Sequence, residues 1–157
     1  LTANVFERLG SPGILVHGLA IKPGKPTILA VADGKPCVGL PGNPASALLL
    51  FDFVGVPAIL QLQGAEAEFY QGTVRARLAV KVTSIVGRED YIPIRWINRF
   101  IEQGGEGAKG RRKERRAEPL PGRGNTIFRL ATADGLLRVP LNSVGFEVGE
   151  TIDIEPI

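Results

Sequence analysis

Val38-Gly39-Leu40-Pro41-Gly42-Asn43-Pro44-Ala45-Ser46-Ala47 runs from a short apolar segment straight into the start of a helix. Asn43 is a strong N-cap residue, and Pro44 suits the first helical position, where its missing N–H costs nothing. The spacing predicts a helix from Pro44 to about Leu62. Its interior, Ser46-Ala47-Leu48-Leu49-Leu50-Phe51, is apolar on nearly every side, so the helix is expected to be largely buried. Pro57 is expected to kink or break it near Val54 to Val56. The run before the turn, Cys37 to Leu40, reads as a strand buried on both faces, with Cys37 a small buried residue. Strand, turn and capped helix together make this part of the chain α/β.

Working back toward the N-terminus, Asn4 to Leu9 reads as the end of a helix closed by Gly10 and Pro12. Ile14 to Ile21 and Thr27 to Ala32 are strand candidates, the second ending at the turn Asp33-Gly34. Beyond the helix the texture changes to β throughout. Val74, Ala76, Leu78, Val80 and Val82 alternate with Arg75, Arg77 and Lys81, the pattern of a half-buried strand. Tyr91 to Ile97, Ile127 to Ala131, Leu136 to Val139 and Thr151 to Ile154 read as further short strands, with a tight turn at Asp134-Gly135. The small polar stretch Gln63-Gly64-Ala65-Glu66-Ala67-Glu68 separates the halves. The organisation read here is α/β over residues 1–64, followed by an all-β domain, a small barrel or sandwich, over residues 70–157.

The chain has 157 residues, 44% hydrophobic and 22% charged, ordinary values for a globular protein. No apolar run is expected to reach the length of a membrane helix, and no charged-then-apolar secretory leader is expected. One cysteine cannot make an internal disulfide, so a cytoplasmic setting is expected. Leu1 in place of an initiating methionine, and no methionine elsewhere, read as part of a longer protein. The net charge of +3 owes much to Lys109, Arg111, Arg112, Lys113, Arg115 and Arg116. No aromatic residue is interleaved among them, so a solvated, mobile excursion over 103–116 is expected rather than nucleic-acid binding. His17 has no His, Cys or carboxylate cluster near it in sequence and is read as structural or solvated.

Two segments carry chemistry. In Lys22-Pro23-Gly24-Lys25-Pro26 the Pro-Gly pair favours a type II turn, which brings its first and fourth residues within about 7 Å. Those residues are Lys22 and Lys25. Two ammonium groups at that distance repel by about 2 kcal/mol at an effective dielectric of 20, and an anion between them turns the penalty into attraction. The second segment is the helix start itself. Its backbone N–H groups and dipole suit an oxyanion, Gly42 allows close approach, and the Ser46 hydroxyl lies in the first turn. The spacing is not that of a Walker loop. Taken singly, a solvated turn explains the first segment better, and a plain capped helix explains the second at least as well.

Ala20-Ile21-Lys22-Pro23-Gly24-Lys25-Pro26-Thr27 followed by Val38 to Ala47 resembles the paired signature of molybdopterin molybdenumtransferases and of the related gephyrin E domain. The likeness continues, more loosely, through Gly87-Arg88-Glu89-Asp90-Tyr91, Ala133-Asp134-Gly135-Leu136 and Gly149-Glu150. The resemblance implies the C-terminal half of a molybdopterin-binding α/β domain plus a small C-terminal β-barrel domain. It implies insertion of molybdate into adenylylated molybdopterin with release of AMP and molybdenum cofactor, with Mg2+ held by ligands outside this chain. It implies a homodimer in the full-length protein and a molybdopterin adenylyltransferase as partner. Lys22, Lys25, Pro26 and Ser46 match positions lining the family's molybdate site, with Gly24, Gly42 and Asn43 beside them.

The chain also departs from that pattern. Where many members carry an arginine two positions after Tyr91, this chain has Pro93; Arg95, on the same side of a strand, is the nearest replacement. Where many carry a serine pair before the position of Leu130, this chain has Phe128 and Arg129. Arg88, Arg95 and Arg129 are therefore the candidate contributors from the barrel. A second reading follows from the departures: an inactive oxyanion- or pterin-binding module of a related protein, with a sensor or regulatory role.

Overall fold

The computed structural model describes residues 2–65, 72–102, 111–122 and 127–157. The chain divides into two compact units, Leu1–Tyr70 with Asn125–Ile127, and Gln71–Gly124 with Phe128–Ile157. The first is α/β and the second is built on a closed five-stranded barrel, which is the fold class read from the sequence.

The first unit opens with α1 (Thr2–Phe6) and continues through β1 (Pro12–His17), β2 (Ile21–Lys22), β3 (Ile28–Ala32) and β4 (Lys35–Gly39). β1, β3 and β4 form an antiparallel sheet with β3 in the middle. Central position buries Ile28 and Ala30. β3 and β4 are joined by a two-residue hairpin at Asp33-Gly34, both with positive φ (48° and 79°), the conformation that matches strand twist. Because β4 is the outer strand of this antiparallel hairpin, only Gly39 on it is buried and Cys37 is partly exposed. This corrects the expectation of a strand, and a cysteine, buried on both faces.

The helix spans Pro44 to Leu62 as predicted, but in three parts: α2 (Pro44–Leu50), a π-helical turn (Phe51–Gly55) and α3 (Val56–Leu62). The Val56 N–H donates to the Phe51 carbonyl, five residues back. Pro57 has no N–H to offer the Phe53 carbonyl, and the wider turn just before it accommodates the missing donor without ending the helix. The burial expectation fails for the second half. Ala45, Ser46, Leu49 and Leu50 form a buried stripe, while Leu48, Phe51, Ile59 and Leu62 are exposed. Apolarity on all sides does not by itself supply packing partners on all sides. By length and composition alone this 19-residue helix could also cross a bilayer, which corrects the expectation that no stretch approaches that length. A core helix meets the same criterion, and the stripe on α2 is packed as core.

In the second unit, β5 (Val74–Leu78), β7 (Glu89–Glu102), β8 (Arg111–Pro119), β9 (Gly135–Val139) and β11 (Thr151–Pro156) close in the order β7-β8-β5-β11-β9, with β9 returning to β7. All pairs are antiparallel except β5 with β8. Short β6 (Val82–Thr83) and β10 (Gly145–Phe146) pair beside it. Closure removes the free edges of a small sheet and fills its interior with Leu78, Ile94, Ala117, Leu137, Val139, Ile152 and Ile154.

Three local expectations change. The alternating run from Val74 breaks at Ala79–Val80, leaving Val80 exposed between β5 and β6. Ile127–Ala131 is a helical turn, α4, whose Phe128 carbonyl accepts the Thr132 amide and hydroxyl. The basic residues 111–116 are not a loop. They lie on β8, paired in register with β7 from Ile97↔Arg116 to Glu102↔Arg111. The glycines sit between these arms, in 103–110, so the flanks are free to pair; that stretch, with Lys109, lies outside the described residues. Arg115 stacks 5.7 Å from the Trp96 ring centre, an attraction between cation and π face.

Candidate oxyanion-binding site

The lysine turn does not close as a type II turn from Lys22 to Lys25. The Lys22–Pro23 peptide is cis, and the four-residue hydrogen bond forms two residues later, from the Thr27 N–H to the Gly24 carbonyl at 3.1 Å. The same carbonyl accepts the Thr27 hydroxyl at 2.7 Å. Around this turn, the Lys25 carbonyl accepts the Leu19 amide and the Thr27 carbonyl accepts the Gly18 amide, both at 2.9 Å. The backbone of the turn is thus tied at three points, while the side chains of Lys22, Lys25 and Pro26 face solvent.

Asn43 caps the helix as read from the sequence. It is extended (φ −79°, ψ 125°), and its carboxamide oxygen accepts the Ser46 N–H at 3.1 Å and the Ser46 hydroxyl at 3.3 Å. Ser46 is only 6% exposed, so its hydroxyl is presently committed to the cap. Gly42 is exposed, and a Cβ there would meet nothing within 4 Å. Open space above that backbone is what an incoming anion needs.

The lysine turn packs against α2, the helix that the second segment opens. A Cβ built on Gly24 would lie 2.2 Å from Leu50 Cδ2 and 2.9 Å from Leu50 Cγ. Leu50 and Ser46 are four residues apart, hence on one face of α2. The lysine turn therefore rests on the same helical face, one turn below the serine. Sequence reasoning paired the two segments but missed Thr27, which ties the turn from within, and Leu50, which meets it from α2, both fully buried. Nothing in the sequence marks either as more than a motif threonine or a core leucine. A cavity of about 350 Å³ lined by Asn4, Val5, Arg8 and Leu9 lies elsewhere in this unit and includes none of the site residues.

In the barrel unit each candidate arginine has an acceptor. Arg88 Nε donates to Asp90 at 2.7 Å, Arg95 Nε to Glu118 at 2.6 Å, and Arg129 on α4 to the Leu120 carbonyl at 2.6 Å. Glu89, Tyr91, Arg138 and Glu155 form a further polar cluster across β7, β9 and β11. Glu89 accepts from Arg138 Nε and Nη2, one at each carboxylate oxygen, and from the Tyr91 hydroxyl at 3.4 Å. Burial pushes the Tyr91 hydroxyl up to about 12 despite the nearby Arg138. Burial also raises the Glu155 carboxyl, with Glu89 adding to the effect and Arg138 opposing it.

Glu155 sets a pH dependence. Its folded-state value lies above the unfolded one, so its charge disfavours the fold once pH exceeds the folded value. That cost disappears as pH falls below the unfolded value, about 4.3 for glutamate. Glu155→Gln is therefore expected to melt above wild type at pH 7, with the two melting curves converging near pH 4. A lower melting temperature for the variant at pH 7 would show that the Arg138 attraction outweighs burial.

Among the described residues no group of three or more His, Cys, Asp or Glu side chains is placed to hold a metal ion. The described residues do not fit a divalent cation site.

Residues 75–157 match the family model described as "MoeA C-terminal region (domain IV)", and residues 1–61 match "Probable molybdopterin binding domain". A molybdopterin molybdenumtransferase of Staphylococcus aureus is 30% identical over 144 residues, 90% of this chain and 31% of that protein. A Staphylococcus epidermidis protein of the same name is 28% identical over the same length. The solved molybdopterin biosynthesis MoeA protein of Pyrococcus horikoshii superposes with a TM-score of 0.70 at 34% identity, covering 99% of this chain and 34% of that one. Another solved molybdopterin biosynthesis MoeA protein from Pyrococcus horikoshii gives a TM-score of 0.66 at 25% identity, covering 92% of this chain and 32% of that one. The chain thus spans about a third of the length of the relatives it matches. A family model covering more than half the chain, the barrel it describes, and the paired signature ahead of it lead to one assignment: this chain belongs to the MoeA family of molybdenum cofactor biosynthesis.

Proposed function

We propose that this chain supplies the molybdate-binding part of a molybdopterin molybdenumtransferase, which inserts molybdate into adenylylated molybdopterin and releases AMP. The observation that carries the reading is the contact of the Gly24 turn with α2, one helical turn below Ser46. It brings the carrier of Lys22 and Lys25 to the face of the helix that Ser46 occupies. Molybdate is a tetrahedral dianion. Two ammonium groups provide charge, the helix start provides amide dipoles, and the Ser46 hydroxyl exchanges its bond to Asn43 for one to an oxygen of the ion. Pro26 and Gly24 shape the turn, and Gly42 leaves the backbone open. Their joint role is to hold the oxyanion where the dithiolene sulfurs replace its oxygens. Arg88, Arg95 and Arg129 are the barrel's candidates, each exchanging an internal acceptor for an anionic group when substrate is present.

The wider assignment follows the family: residues 1–64 as the C-terminal part of the molybdopterin-binding domain, residues 70–157 as the C-terminal barrel, a homodimer in the parent protein, an adenylyltransferase as partner, and a cytoplasmic setting. The Mg2+ of that assignment belongs to ligands outside this chain; among the described residues no group of three or more His, Cys, Asp or Glu side chains is placed for it. The second reading, drawn from the departures at Pro93, Phe128 and Arg129, is an oxyanion- or pterin-binding module without turnover. The test is AMP release from adenylylated molybdopterin with molybdate and Mg2+ supplied. The chain alone is expected to bind molybdate and release no AMP. Turnover by the chain alone would overturn the claim that the reaction needs groups beyond these.

A further inference from the structure

We propose that Thr27 and Leu50 are positioning residues of the oxyanion site, fixing the turn that carries Lys25 at a set height against the helix face that carries Ser46. The inference rests on the molybdate reading above and deepens it. Two separate contacts carry it. Thr27 is fully buried, and both its amide and its hydroxyl donate to the Gly24 carbonyl. A backbone turn ordinarily has one such bond; the second, from a side chain with no solvent to compete, removes the freedom of the Gly24–Lys25 peptide to rotate. Leu50 is 1% exposed, and its δ-carbon occupies the place a Gly24 side chain would take. The turn is thus held from inside by Thr27 and seated from below by Leu50. Neither residue carries charge and neither reaches solvent. Their part is to make the position of Lys25 definite, so that the charge arrives already oriented rather than being ordered by the ligand.

The experiment compares Thr27→Val, which keeps the volume and removes the hydroxyl, with Thr27→Ser, which keeps the hydroxyl. Leu50→Val, which shortens the seat under Gly24, and Lys25→Ala complete the set. Molybdate is titrated calorimetrically into the 157-residue chain, and chloride competition is measured in parallel. Thr27→Val is expected to weaken molybdate binding by up to about tenfold, the worth of one intramolecular hydrogen bond, and Leu50→Val, which loosens the seat without removing a hydrogen bond, to weaken it in the same direction. Chloride competition should hardly change, because both lysines remain. The molybdate-over-chloride preference therefore falls, a change that general destabilisation does not produce, and Thr27→Ser restores it. If Lys25→Ala loses molybdate while Thr27→Val binds it like wild type, the positioning role is overturned and the site stands. If Lys25→Ala binds like wild type, the site reading fails and this inference with it.

Discussion

Gly24→Ala is expected to destabilise the α/β unit by about 2–4 kcal/mol, whereas Gly42→Ala, in the same candidate site, is expected to stay within about 0.5 kcal/mol of wild type. The difference follows from what each new methyl group meets. At Gly24 it would lie 2.2 Å from a leucine carbon that is itself packed in the core, and the backbone φ of +123° is one that side chains resist. Leu50 cannot swing away without opening the contact between α2 and the turn, so strain and repacking add. At Gly42 nothing lies within 4 Å. Chemical denaturation of both variants, followed by a signal from the first unit, separates them. Equal loss at the two positions would contradict the seating of the turn on Leu50. Gly42→Ala has its effect elsewhere: the methyl group occupies the space kept open for the anion, so binding falls while stability holds.

Ile94→Ala should cost the barrel about 2–5 kcal/mol, the usual range for removing a buried isoleucine side chain down to its Cβ. Ile94 is fully buried and pairs with Pro119 of β8 on one side and Gly135 of β9 on the other. Gly135 has no room to compensate, since a Cβ there would stand 2.7 Å from both the Glu155 carbonyl and Ile154. The cavity therefore stays open at the seam that closes the cylinder. A loss below about 1 kcal/mol would mean that the barrel collapses around the gap, and that its closure is less rigid than the packing implies.

How much of this was legible in the sequence can be judged element by element. The Asn43 cap, the Pro44 start and the Asp33-Gly34 hairpin were readable because each depends on a few neighbouring residues and their backbone preferences. The barrel strands β5 and β11 were readable because their two-residue alternation reflects one buried face, and β9 as a short apolar run after the Asp134-Gly135 turn. What depends on distant partners was not. The strand β8 looked like a charged loop because its pairing with β7 spans an intervening stretch that periodicity cannot bridge. Ile127–Ala131 has the β-branched and aromatic content of a strand, yet forms a helical turn, and its Phe128 side chain is exposed rather than packed. The burial of the long helix was over-read, since composition tells which faces could be buried but not whether a neighbour is there.

The candidate site shows the same division. Residue types and order named Lys22, Lys25 and Ser46, because two ammonium groups and a helix start form a recognisable anion chemistry. The way the turn is built was not legible. A type II turn follows from Pro-Gly preferences, whereas the structure places the closing hydrogen bond between Gly24 and Thr27. The roles of Thr27 and Leu50 appear only with burial and distance, because the close approach of Leu50 to Gly24 leaves no trace in a single sequence.

The measurement that bears most directly on the central claim is the affinity of the chain for molybdate with and without each lysine. Calorimetric titration of molybdate into wild type, Lys22→Ala and Lys25→Ala should show binding to wild type that weakens by about 1–3 kcal/mol in each variant, the loss expected for one charge-assisted contact. Affinities indistinguishable among the three proteins would contradict the placement of the oxyanion at this turn.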